Sequence, residues 1–132
     1  GAVFHDTIDS LLAVSDVLSL HCPASADTTG LINARTLALL PERAILVNTA
    51  RGALVDEDAL VAALKSGRLF AAGLDVFRTE PGGNPALAQL DNVFMLPHIG
   101  SATFETRDAM GFRALDNLDS FFAGAAPLDR LV

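Results

Sequence analysis

The chain has 132 residues, 51% of them apolar, which is one domain's worth of sequence with enough hydrophobic material for a real core and too much for a disordered segment. Its 16 acidic and 9 basic residues leave a net charge of -7, so it lacks the basic stripe a nucleic-acid partner needs, and an anionic ligand must be held by local cations. Cys22 is the one cysteine, which excludes an internal disulfide, and no apolar run is long enough to span a membrane.

The chain opens GAVFHD, with no initiator Met and no visible secretory leader, so a processed, cleaved or engineered start and a reducing cytoplasm are expected. Residues 7–15 (TIDSLLAVS) have helical spacing, with Ile8, Leu11 and Leu12 on one face and Asp6 as the expected cap. VLSLHC reads as a strand stopped by Pro23, and ASADTTG as a turn-rich loop. Asn33 starts a short helix, ARTLALL, that Pro41 ends. AILVNT (44–49) is nearly all apolar, as expected of a strand covered on both faces. Arg51 and Gly52 form a tight turn. Asp56, Glu57 and Asp58 suit the positive end of the next helix, which Gly67 stops.

AAGLDVF is a third strand, in which Gly73 points to close backbone approach. PGGNP is a loop, PALAQL a short helix and NVFMLP the fourth strand. A long helix follows from 102 to 123, with Phe104, Met110, Leu115, Leu118 and Phe122 among its apolar positions, and PLDRLV is a tail. Strands alternating with helices across short loops are the pattern of βαβ units in a parallel sheet.

Three polar residues each follow an apolar run read as a buried strand: Arg51 in NTARG, Glu80 in GLDVFRTEP and His98 in LPHIGSAT. Parallel strands ending on one side would bring them into one crevice. Oxidation or reduction of a 2-hydroxy acid needs such a set. An imidazole exchanges the hydroxyl proton, a neighbouring carboxylate orients it and favours its protonated form, and a guanidinium fork holds the substrate carboxylate. Singly, each has an ordinary reading: Arg51 on a surface loop, Glu80 solvated, His98 at a helix start. Their joint placement favours the chemical one. A hydrolase nucleophile finds no G-x-S-x-G elbow, and no metal-ligand spacing is present. His21 reads as structural and His5 is unassigned, while Arg107 and Arg113 belong on exposed helix faces.

The segments LHCPASADTTGLIN, LVNTARGALVDEDALVAAL, AAGLDVFRTEP and LPHIGSATFETRDAM resemble the C-terminal part of the D-isomer-specific 2-hydroxyacid dehydrogenases over almost the whole chain, with HIGSATFETRDAM especially similar to the glyoxylate/hydroxypyruvate reductase branch. The resemblance implies an α/β fold: the second half of a Rossmann-like doubly wound parallel sheet, without the GxGxxG half and most of the substrate domain. It implies Arg51 as the anchor of the substrate carboxylate and keto oxygen, His98 as proton donor or acceptor, and Glu80 as its partner. It further places Cys22 on the adenosine side of the cofactor cleft and Thr49, Ala50 and Arg51 beside the nicotinamide. Asp75 would bond the carboxamide, and the backbone from His98 to Gly100 would close the same face. Outside that pattern, Asp75 reads as a turn cap and Cys22 as an apolar filler.

Residues 1–110 are then the second half of the NAD(P)-binding domain, and 111–132 the end of the long helix and a tail returning toward the substrate domain. NAD and NADP are both open, because the residues that choose between them lie outside these segments. The expected partner is a small 2-oxo or 2-hydroxy acid such as glyoxylate or hydroxypyruvate, with no nucleic acid and no membrane, in a full-length homodimer. The 132-residue piece alone is expected to be inactive. The alternative is a non-catalytic dinucleotide-sensing or interaction module of the same family, corepressor-like or a remnant.

Overall fold

The structure, a computed structural model, describes residues 1–131. Each helix starts on a side chain that satisfies its first free N–H groups. Thr7 accepts from Ser10 N to open α1 (Ile8–Leu12), so the cap falls one residue after the expected Asp6, on an extended Thr whose hydroxyl reaches the first turn. Asn33 and Thr36 make a reciprocal capping box on α2 (Ala34–Leu39). Asp56 accepts from Asp58 N and Ala59 N at the start of α3 (Glu57–Lys65), as its acidic run predicts. Thr103 caps α4 (Phe104–Phe122). Gly67 has φ +74°, the left-handed conformation that ends α3.

The expected helix in PALAQL is a set of turns instead. Asn84 O accepts from Leu87 N, Leu90 N then bonds Leu87 O, and the ladder does not continue. Asn84 Oδ1 accepts from Ala86 N at 2.9 Å, and the single turn it opens closes around the buried Leu87.

Four strands, β1 (Val17–Leu20), β2 (Ala44–Asn48), β3 (Leu69–Leu74) and β4 (Val93–Met95), pair in the order β1-β2-β3-β4, all parallel. Each is shorter than the apolar run that announced it. On one face Leu18, Leu20, Leu46, Leu69 and Leu74 are buried together with Leu37 of α2 and Leu60 and Leu64 of α3 in a single core. The other face differs from expectation. Val17 and Phe94 are exposed, and Ile45 and Val47 only half-buried, so β2 is not covered on both sides by this chain. Successive right-handed crossovers in one direction across a sheet put α2 and α3 on the same face.

Arg68 joins these helices to the sheet. Its guanidinium donates to Ala38 O, Leu40 O and Pro41 O, carbonyls at the end of α2 that have no helical partner. Arg43, in the left-handed region at φ 63°, stacks 4.6 Å from the ring centroid of Phe70.

The chain divides into two compact units, Gly1–His98 and a second beginning at Ile99. Within the second, the tail is fastened to α4. Arg113 grips Asp129 through Nε and Nη2 at 2.6 and 2.8 Å, and Asn117 exchanges bonds with the same aspartate. Arg113 therefore lies on an exposed helix face, as expected, but with a partner. No described residue of α4 is buried.

Candidate active site

The sheet register sets the site. Leu20, Asn48, Leu74 and Met95, the last residues of the four strands, are paired neighbours in one row. The ladder runs one step further, with Asp75 N bonded to Asn48 O at 3.0 Å and Leu96 N to Leu74 O at 2.8 Å. Everything that follows the strands therefore leaves from one rim, as the sequence pattern predicts for a parallel sheet.

Glu80 and His98 meet there across 18 residues of sequence. His98 Nδ1 donates to Glu80 Oε2 at 2.6 Å, and Phe77 N donates to Glu80 Oε1 at 2.7 Å. The carboxylate is thereby fixed at both oxygens. With Nδ1 committed to it, Nε2 is the ring nitrogen left for proton exchange. The His98 hydrogen bond, with the Phe77 N–H second, holds the Glu80 carboxyl below the usual carboxylate range. His98 itself has φ 54°, a left-handed conformation that costs a non-glycine residue about 1–3 kcal/mol and gathers at functional sites. The pair borders a cavity of about 610 Å³ whose other walls include Phe77, Pro81, Met95 and Leu96.

Arg51 leaves the same rim from β2, but its side chain does not touch the pair. It is exposed, and Nη1 donates to Ala50 O at 2.6 Å. Its turn and the Glu80 loop nevertheless meet through their backbones. Arg51 is followed by a short 3-10 turn (Gly52–Leu54), and a Cβ on Gly52 would lie 2.0 Å from the Phe77 carbonyl carbon. The close approach expected at Gly73 occurs here instead: nothing lies within 4 Å of a Cβ built on Gly73. Strand pairing keeps neighbouring backbones a strand spacing apart, whereas a loop can lie directly on a glycine.

Three more residues hold this arrangement, Glu57 among them in addition to its expected place at the start of α3. Asn48, buried to 1% exposure, bonds Ala50 N and Arg51 O through its side chain. Glu57, at the first turn of α3, accepts Arg78 N at 2.7 Å. Ile32 bridges to Val55 and so anchors the far end of the 3-10 turn. A polar residue closing an apolar run, as Asn48 closes AILVN, was the available signal for the first; the others depend on contacts too distant in sequence to read.

The remaining candidates lie where the strands end. Cys22 is half-buried after β1, beyond His21, whose Nε2 meets Ser19 Oγ at 2.8 Å. Thr49 is exposed and Ala50 half-buried after β2. Asp75 is buried to 3% exposure after β3, and it is engaged with other groups. Gly100 falls in the second unit, in an exposed turn. Hydroxyl, carboxylate and backbone groups along one rim fit the amide-bearing end of a nicotinamide cofactor as a donor and acceptor set. No turn with the glycine spacing of a pyrophosphate cradle occurs in the sequence. Among the described residues, no cluster of three or more His, Cys, Asp or Glu is arranged to hold a metal, and no helix is long and apolar enough to cross a membrane.

Comparison with known proteins gives a consistent answer. Residues 2–100 match the family described as D-isomer specific 2-hydroxyacid dehydrogenase, NAD binding domain. The chain is 49% identical over 124 residues to glycerate dehydrogenase of Hyphomicrobium methylovorum, covering 94% of this chain and 38% of that protein. It is 50% identical over 121 residues to glyoxylate/hydroxypyruvate reductase B of Pectobacterium atrosepticum, covering 91% and 38%. Among solved structures, the NADPH-dependent glyoxylate/hydroxypyruvate reductase of Sinorhizobium meliloti in complex with NADP and malonate superposes with TM-score 0.93 at 40% identity, over 97% of this chain and 40% of that one. The chain thus spans about two-fifths of the length of these relatives. Parallel sheet, rim and sequence agree, and the chain belongs to the D-isomer-specific 2-hydroxyacid dehydrogenase family, within its NAD-binding domain.

Proposed function

We propose that the protein carrying this chain interconverts a small 2-oxo acid, of the glyoxylate or hydroxypyruvate type, with its 2-hydroxy acid, using NAD(H) or NADP(H). The observation that carries the reading is the 2.6 Å contact between His98 Nδ1 and Glu80 Oε2 at the carboxyl rim of the sheet. The activities named for the relatives, glycerate dehydrogenase and glyoxylate/hydroxypyruvate reductase, support the substrate class.

In this reading Arg51 binds the substrate carboxylate through its planar fork and polarises the keto oxygen. His98 gives the proton on Nε2 to that oxygen as the carbonyl carbon gains a hydride, and takes it back in the oxidation direction. Glu80 orients the ring through Nδ1 and balances the imidazolium charge. When bound, the dihydronicotinamide supplies the hydride. Thr49, Ala50 and Asp75, with the backbone of His98, would hold its ring end, and Cys22 would line the adenosine side. Residues 1–110 form the second half of the cofactor domain, 111–132 lead toward the substrate domain, and the 132-residue piece alone does not turn over substrate. The whole protein acts as a homodimer, which sedimentation tests.

Replacing His98 with Gln in the whole protein is the decisive experiment. Loss of the proton-transferring group should lower kcat by about 10²–10⁴ with cofactor binding retained. Unchanged turnover and pH-rate behaviour would remove His98 from this role. Wild-type protein that binds NAD(P) but turns over no 2-oxo acid would favour the alternative, a dinucleotide-sensing corepressor-like or interaction module.

A further inference from the structure

Asn48 is one of only three buried polar or charged residues among those described, with Thr36 and Asp75. It ends β2, in the interior of the sheet, with its side chain on the leucine-lined face: it alternates with Ala44 and Leu46, both buried. A primary amide there costs free energy unless its hydrogen bonds are made. Both of its polar atoms are used, and both are spent on the next three residues. Oδ1 accepts from Ala50 N at 3.0 Å, and Nδ2 donates to Arg51 O at 2.9 Å. The backbone of Asn48 meanwhile accepts from Asp75 N, so the same residue ties the turn to β3.

The consequence reaches the guanidinium. Arg51 Nη1 donates to Ala50 O, and the N–H of that same Ala50 is held by Asn48 Oδ1. The position of the exposed cation is therefore set by a two-bond chain, Asn48 to Ala50 to Arg51, rooted in the core. Without it, a turn of three residues on the rim has several ways to place Arg51.

We infer that Asn48 is a positioning residue for the 2-oxo acid carboxylate: its buried amide shapes the 49–51 turn so that Arg51 presents its fork in one orientation. This deepens the proposed function and rests on it, since it assumes that Arg51 meets the substrate carboxylate. It assigns a role to a residue that itself touches neither substrate nor cofactor.

The test is a double-mutant cycle in the whole protein, reading KM for glyoxylate, kcat, and KM for the cofactor. Arg51→Ala supplies the reference loss. Asn48→Ser retains an acceptor for Ala50 N but cannot reach Arg51 O, and Asn48→Ala removes both bonds. A misplacement of about an ångström costs on the order of 100-fold in a positioned site, so Asn48→Ala should raise the KM for glyoxylate by roughly 10- to 100-fold, with Asn48→Ser between it and wild type. In the Arg51→Ala background Asn48→Ala should add almost nothing, because the group it positions is gone. A purely structural role would lower melting temperature and cost the same in both backgrounds.

Equal losses in the two backgrounds, or an effect on cofactor KM alone, overturn the inference and leave the role of Arg51 standing. An Arg51→Ala variant with wild-type KM overturns the role of Arg51 and this inference together, which tells the two failures apart. If Asn48→Ala does not fold, the Asn48→Ser cycle decides by the same criterion of non-additivity.

Discussion

Gly52 and Phe77 touch backbone to backbone: a Cβ on Gly52 would stand 2.0 Å from the Phe77 carbonyl carbon and 2.1 Å from its oxygen. Phe77 N in turn bonds Glu80 Oε1, and Glu80 Oε2 bonds His98. The residue after Arg51 is therefore in van der Waals contact with the loop that orients His98. Backbone cannot swing aside as a flexible side-chain end can, so the whole Glu80 loop must shift to admit a methyl group.

Gly52→Ala is accordingly expected to destabilise the protein by at least about 1–3 kcal/mol, the usual range for forcing a group into a packed site. The movement should also loosen the Phe77 to Glu80 bond and lower kcat/KM. Gly73→Ala, where the space is open, is the matched control and should leave activity nearly unchanged. Urea titration of the two variants checks the stability difference, and a Gly52→Ala protein as stable as Gly73→Ala contradicts it.

The Glu80 carboxyl sits below its ordinary value because the charged form is hydrogen-bonded by His98 and Phe77. A carboxylate with a depressed folded-state value stabilises the native state above its unfolded value and loses that contribution as pH falls through the folded one. Wild type should therefore be more stable than Glu80→Gln just above about pH 4.5, and that advantage should shrink as pH drops below it. Melting temperatures of both proteins from pH 3 to pH 7 read this out, and a gap that opens on acidification has the wrong sign. At neutral pH the Gln variant offers an amide where the carboxylate was, and kcat/KM for a 2-oxo acid should fall by roughly 10²-fold.

Arg68 supplies the carbonyls of Ala38, Leu40 and Pro41 with donors that α2 cannot provide. Arg68→Met keeps much of the stem and removes every donor. Charged hydrogen bonds contribute about 1.5–3 kcal/mol, so the variant should unfold at lower denaturant concentration by a comparable amount. Because Arg68 stands just before β3, at the opposite end of the strands from the rim, its kcat/KM should stay close to wild type. A large loss of activity without a loss of stability would assign Arg68 a different role.

Asp129 is held down to about 2 by its hydrogen bonds to Arg113 first and Asn117 second. The tail fastening should then be complete above the ordinary Asp value near 3.8 and be lost only as pH falls through about 2. Carboxyl carbon NMR of Asp129 checks the titration directly. In Arg113→Ala the same resonance should move back toward the ordinary Asp range, and a resonance that stays near 2 would show that Arg113 is not the cause.

Much of this protein was legible locally. Asn33, Asp56 and Gly67 declare helix ends because caps and left-handed stops act within one turn. Alternating strands and helices declare a parallel sheet, and that in turn places Arg51, Glu80 and His98 on one rim. The tertiary structure decided what depends on register and on distant backbone. It joined Glu80 to His98 across 18 residues, moved the tight glycine contact from Gly73 to Gly52, and made Asn48 the root of the Arg51 turn. It also left Val17 and Phe94 exposed on a face that the apolar strands predicted to be covered. Hydrophobic pattern and capping are short-range properties that a chain carries wherever it goes. Which side of the sheet a crossover covers, and which loop rests on which glycine, exists only once the strands have paired.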